Sequence, residues 1–516
     1  MAKFYLTTAI DYVNSRPHLG TAYEKICADA IARFKRLSGV DTHFLMGNDE
    51  HSLNVRRRAA ELGLDPLAYC DQMESEFRGV WDALQISYDD FIRTSEQRHQ
   101  AAVQEFVRRL AGRELDGQPV LYRDWYRGWY CVSCEAYYQS EELEQNQCPV
   151  HRRPVEWIEE RNLFFRLSAY RDLLLKHFER HPEFVQPEPR RNELLRLLEG
   201  GLIDISISRS ASDWGVPLPG DPESVVYVWF DALINYVSGA GFLADPQRFE
   251  RLWPADLHVI GKDITRFHCL IWPAMLLGAG LELPRAVFAH GFISVRGEKM
   301  SKTTGNIIDP LEAIQRVGAD SVRYFLLREY TFGKDGDFTW ERFLERYNAD
   351  LANDLGNLVS RLATMIDKYC GGVLPAAPAP DGNHPLMRDF AELPGVYGEA
   401  MERLELHQGI ALAWRLVTQS NVRIDAVKPW ELARDGARRA ELERELVALA
   451  EALRLAALWL SPFIPTSAAE IWRRLGLEHD PARARLDQVR PYDGALRGRK
   501  VDKGAPLFPR LQDIGM

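Results

Sequence analysis

Two lysines three residues apart, Lys299 and Lys302, bracket Met300 and Ser301 in the polar, glycine-bearing stretch Glu298–Asn306. A lysine ammonium is a compact charge on a flexible stem, able to follow a phosphate through a reaction. Phosphoryl and nucleotidyl transfer ask a protein mainly for positioning and for relief of developing negative charge. Taken alone, such a loop reads more readily as solvated surface. At the other end of the chain, His18-Leu19-Gly20-Thr21 follows an aromatic and β-branched run, Phe4–Ile10, that reads as a strand. Ala22, Ile26, Ala30 and Phe34 then recur at helical spacing up to Gly39. A histidine and a glycine at the start of a helix suit a phosphate, which the free N–H groups and the positive dipole end attract. Gly20 would let a ligand approach the backbone closely. The plainer alternative is a histidine that only caps a turn.

Three further groups could do chemistry. Asp49 lies just beyond a predicted strand, Thr42–Met46, where open parallel sheets bind ligands, although an aspartate there can also be a helix cap. Cys131, Cys134, Cys148 and His151 have the spacing C-x2-C-x13-C-x2-H, two short knuckles that suit one tetrahedral zinc. With all four positions filled by protein such a site is structural; a disulfide is the alternative. Tyr12, Trp229, Tyr236, Phe267, His268 and Trp272 could line an aromatic pocket for a flexible, polarizable thioether, or simply be core.

These groups need a scaffold. The 516 residues allow about three domains. Alternating strands and helices through about Arg113 imply a doubly wound α/β half-domain, residues 1–115. The cysteine-bearing stretch, 116–215, reads as an insertion. The sheet is expected to resume with a strand at Val225–Phe230, followed by Leu257–Ile260 and Ala286–Ala289, in a second half spanning 216–342. From 343 to 516 the pattern is helical: Leu351, Leu355, Leu358, Leu362, Met365 and Tyr369 form one apolar stripe, and Asn353, Asn357 and Arg361 a polar one. Further helices are expected over Val396–Val422 and Ala440–Ser461. A net charge of −10 gives no global basic field, so any nucleic-acid partner must be met by local surfaces. No apolar run is long enough to span a membrane. The N-terminus runs straight into a strand, without a signal peptide, and seven cysteines fit a reducing, cytoplasmic setting.

The paired stretches His18-Leu19-Gly20-Thr21 and Lys299-Met300-Ser301-Lys302-Thr303 resemble the His-x-Gly-His and Lys-Met-Ser-Lys-Ser signatures of class I aminoacyl-tRNA synthetases. Thr21 stands in place of the second histidine and Thr303 in place of the last serine. Thr8–Asn14, Asp49-Glu50-His51, Tyr227–Ala232 and His258–Asp263 are similar to the words of the family's methionine-specific members. Ser52, Asp11 and Leu233 depart from those words. The insertion is too short for the large editing domain of the leucine, isoleucine and valine members, so selection would rest on a single pocket.

The resemblance implies a Rossmann-like parallel-sheet catalytic domain split by a zinc-bearing insertion and followed by a helical anticodon-binding bundle. It implies that His18, Gly20, Thr21, Asp263, Lys299, Ser301 and Lys302 serve ATP, which brings Mg2+. Asp49 would take the methionine ammonium, and Ala9, Ile10, Tyr12, Trp229, Ala232, Leu233, Tyr236, Ile264, His268 and Trp272 would surround the amino acid. Asn357, Arg361 and Trp430 would read the anticodon of tRNA(Met) by hydrogen bonds and stacking. The implied reaction is activation of L-methionine to its adenylate and transfer to the tRNA 3′ end; a paralogue that binds tRNA or adenylate without efficient charging is the alternative. No dimerising oligonucleotide-binding domain follows the helices, and a monomer is expected.

Overall fold

The structure is a computed structural model describing residues 3–131, 136–138, 140–149, 152–210, 214–300 and 306–512. At its centre lies a parallel sheet in the order Val185–Gln186, Val287–His290, Leu257–Gly261, Lys3–Thr8, Asp41–Asp49 and Asp11–Tyr12, with Asp90–Arg93 also paired to Asp41–Asp49. Leu257–Gly261 and Val287–His290 are buried along their whole length, as strands covered on both faces must be. After Lys3–Thr8 the chain places its next long strand, Asp41–Asp49, on one side, and much later Leu257–Gly261 on the other. The order therefore reverses at the first strand, and a crevice opens beyond its carboxyl end.

The helix Leu19–Leu37 crosses back over this sheet. Its apolar residues belong to one core that runs through the Ala319–Glu329 helix into the helical part of the chain. That part contains Asn357–Cys370, Pro385–Glu402, Leu406–Val427, Arg439–Leu460 and Pro465–Arg474. Among the described residues no helix is long and apolar enough to cross a membrane.

Three expectations change. Val225–Phe230 does not form a strand of the parallel sheet. Asp221–Val226 belongs instead to a small antiparallel sheet with Ser208–Ser210 and Pro217–Leu218, and Tyr227 starts a helix, Val228–Leu233. Short apolar runs do not distinguish strand from buried helix by periodicity, and here burial of Phe230, Ala232 and Leu233 selects the helix. Val185–Gln186, within the predicted insertion, adds an edge strand to the central sheet, so the cysteine-bearing ribbon is a smaller excursion than its sequence span. The single apolar period over Val396–Val422 is two helices, broken where Leu404 takes a left-handed φ of 61°.

Candidate functional site

The crevice is a cleft of about 560 Å3. At one end stands His18, the N-cap of the Leu19–Leu37 helix, whose Nδ1 accepts the Thr21 backbone N–H at 3.2 Å. With Nδ1 accepting, the ring carries a proton on Nε2. A Cβ at Gly20 would fall 2.9 Å from His18 Cε1, so a side chain there would displace the imidazole from its place over the first turn.

The lysine loop meets this helix start on both of its flanks. Met300 is buried, lines the cleft and comes within 3.8 Å of where a Gly20 Cβ would stand. Beyond the loop, the Ile308 carbonyl accepts the Leu19 N–H at 3.0 Å. Ser301 and Lys302 lie outside the described residues; Lys299 closes a two-residue strand, Glu298–Lys299, on Ile293–Val295. Thr21 and Asp263 also line the cleft, the latter in a short turn, Lys262–Ile264, after the Leu257–Gly261 strand.

The opposite end is apolar. Ala9, Ile10, Tyr12, Ala232, Leu233 and Ile264 line it together with an aromatic group. Trp229 stacks on Phe267 at 4.0 Å and 14°, and Tyr12 meets Trp229 edge-on. His268 Nδ1 faces the Ile264 carbonyl at 3.0 Å, which can only accept, so its proton sits there. Its Nε2 then accepts the Tyr236 hydroxyl at 2.7 Å. Burial pulls His268 down to about 4, so the pocket holds a neutral ring. Asp49, buried at the end of its strand, borders this pocket. Trp272 does not line the cleft; it lies behind Tyr236, buried and stacked on Phe106.

Sequence reasoning missed the polar floor. Lys25, fully buried, donates to the Ala9 carbonyl at 2.8 Å and pairs with Glu24 at 2.6 Å and Asp11 at 3.1 Å. Glu24 in turn meets His290 Nε2 at 3.0 Å. Burial pushes Asp11 up to about 6 despite the ammonium beside it. Burial also opposes ionisation of Glu24, but Lys25 and His290 outweigh it and hold that carboxyl below its usual range. The available signal was charge on a buried face: Glu24, Lys25 and Asp29 interrupt the Ala22, Ile26, Ala30 stripe.

Of the four candidate zinc ligands, Cys131 ends the ribbon strand Leu121–Cys131 and Cys148 lies farther on, beyond the strand Ala136–Tyr138 and the turn Ser140–Glu142, both cysteines buried. Cys134 and His151 are outside the described residues, and among those described no group of three metal-ligating side chains assembles. Tyr138, whose hydroxyl is 3.6 Å from the Cys148 sulfur, lines the cleft. In the helical part Asn357 is exposed, Arg361 reaches Asp425 at 2.6 Å, and Trp430, just past the end of the same Leu406–Val427 helix, is 38% exposed.

Residues 4–154 and 119–363 match the family of class I tRNA synthetases (M). The methionine–tRNA ligase of Thermotoga maritima is 46% identical over 99% of this chain and 80% of its own length. That of Bacillus subtilis is 41% identical over 99% and 78%. Among solved structures, Mycobacterium tuberculosis methionyl-tRNA synthetase in complex with methionyl-adenylate superposes with a TM-score of 0.93 at 42% identity, covering 99% of this chain and 100% of that one. The free form of the same enzyme gives 0.86 at 39% identity, covering 99% of each chain.

Proposed function

The chain belongs to the class I tRNA synthetases, and from that premise we propose that it is a methionine–tRNA ligase. It activates L-methionine with ATP and transfers the methionyl group to the 3′ end of tRNA(Met). One observation carries the reading from geometry: a single cleft joins a helix start, gripped on both flanks by the lysine loop, to a neutral aromatic pocket with a buried carboxylate at its rim.

In this reading Asp49 takes the methionine ammonium, and Ile10, Tyr12, Trp229, Ala232, Tyr236, Ile264 and His268 enclose the thioether. The methionine carboxylate attacks the ATP α-phosphorus, forming one P–O bond as the bond to pyrophosphate breaks. The His18 imidazole and the Thr21 hydroxyl would face the phosphates, Asp263 the ribose, and Lys299, Ser301 and Lys302 the leaving pyrophosphate. The ribose hydroxyl of the tRNA terminus then attacks the activated carbonyl and AMP leaves. No side chain forms a covalent bond; holding the reactants in line and offsetting charge on pyrophosphate supply the rate. Mg2+ enters with ATP.

Cys131, Cys134, Cys148 and His151 would hold one zinc ion, which would staple the ribbon without touching the reaction; the burial of Cys131 and Cys148 supports this. One equivalent of zinc in the purified protein is the expected result. Asn357, Arg361 and Trp430 would receive the anticodon. The test of the function is charging of a tRNA(Met) transcript with labelled methionine: stable methionyl-tRNA is expected, and adenylate formation without charging would overturn the reading.

A further inference from the structure

Outside the cleft, a buried carboxylate ties its two walls together. Asp231 is fully buried on the Val228–Leu233 helix, between Trp229 and Ala232, which line the cleft. Its Oδ2 meets His51 Nδ1 at 2.7 Å and its Oδ1 meets His99 Nε2 at 2.9 Å. His51 stands two residues beyond Asp49 on the other wall, and His99 lies on a third element, the helix Gln97–Ala111. The assembly continues outward. His99 Nδ1 faces the Ser238 hydroxyl at 2.9 Å, and the Trp214 ring meets His51 edge-on while its Nε1 donates to the Glu50 carbonyl at 2.6 Å. None of Asp231, His51 and His99 lines the cleft.

A carboxylate is buried at a cost unless its oxygens are hydrogen-bonded, and both oxygens here are taken by imidazole N–H groups from separate elements. One charge therefore sets how far the Asp49 strand end stands from the helix that forms the thioether pocket. We propose that Asp231 is a positioning residue for the amino-acid substrate: by gripping His51 and His99 it fixes the separation between Asp49 and the side-chain pocket, and with it the length of side chain accepted. The proposal rests on the reading of the cleft as a methionine site.

Asp231→Asn keeps the shape but turns one oxygen into an N–H2 that confronts an imidazole N–H. Measured by amino-acid-dependent ATP–pyrophosphate exchange, the KM for methionine should rise about tenfold or more while the KM for ATP stays within about twofold. The preference for methionine over ethionine, one methylene longer, should narrow. His99→Gln, which retains an N–H donor and lies away from the cleft, should move the same two quantities in the same direction by about threefold, and carries the test if Asp231→Asn does not fold. Methionine and ATP constants rising together, or a fall in kcat alone with selectivity unchanged, would overturn the proposal. Absence of methionine-dependent exchange in the unmodified chain would instead overturn the reading of the site, and is seen before any substitution is made.

Discussion

His18 would perform two tasks with two nitrogens: Nδ1 caps a helix, and in the proposed reaction Nε2–H donates to a phosphate. The tasks can be separated. Asparagine is a good N-cap and accepts the same backbone N–H, but cannot reach with a second donor. His18→Asn is expected to leave thermal stability within about 0.5 kcal/mol while lowering the pyrophosphate-exchange rate by about 100-fold, the usual cost of losing one donor to developing charge. Equal losses in stability and rate would make His18 a cap only. His268 gives a prediction in pH. Its folded-state value, depressed by burial to about 4, lies below the unfolded value of 6.5. Above pH 6.5 both states are neutral. As pH falls from there toward 4 the unfolded chain takes up a proton that the folded pocket refuses, removing roughly 3 kcal/mol of stability. Asp11, raised to about 6, acts the other way over the lower part of that window, so the histidine is isolated by comparison. Denaturant midpoints of His268→Gln should decline less steeply between pH 6.5 and 4.5 than those of the unmodified chain.

At the scale of elements, the loop between Met300 and Ile308 is held at both ends against the start of one helix. Met300→Ala removes one anchor without touching a polar group. We expect kcat for exchange to drop about tenfold with the KM for methionine unchanged, because the loop would serve pyrophosphate and not the amino acid. The first strand, the helix beginning at His18 and the strand end at Asp49 were legible because each has a local signal: alternation, helical period, and polar residues at a boundary. Val228–Leu233 was not, because Tyr227–Phe230 carries β-forming residues and only tertiary burial makes it helical. The Asp11–Lys25–Glu24–His290 chain was not legible either, since His290 lies 266 residues from its partner Glu24 and meets it only when Val287–His290 joins the sheet. Trp272 had the composition of a pocket residue, yet sits one layer too deep; a helix carrying aromatics at successive turns does not announce which turn faces the void.

Across the whole molecule, the nucleotide fold and the helical part are joined by a buried guanidinium. Arg323 pairs with Asp29 on the His18-capped helix at 2.6 Å and donates to the carbonyls of Leu84, Pro462 and Phe463. Removing it in Arg323→Ala leaves Asp29 and three carbonyls without that partner in the core. A loss of about 3–5 kcal/mol in unfolding free energy is expected, whereas breaking an exposed pair such as Arg58–Glu61 should change stability little. The helical part should matter for tRNA and not for adenylate formation. Trp430→Ala is therefore expected to raise the KM for tRNA(Met) about tenfold or more while leaving exchange unaltered.

The measurement that bears most directly on the central claim, that one cleft joins a methionine pocket to a triphosphate site, is ATP–pyrophosphate exchange by the purified chain with each of the twenty amino acids in turn. Methionine should support exchange at least about 100-fold more efficiently than leucine, isoleucine or glutamine, as expected of a pocket that must select in a single step. Exchange driven equally well by another amino acid, or none with methionine, would contradict the account.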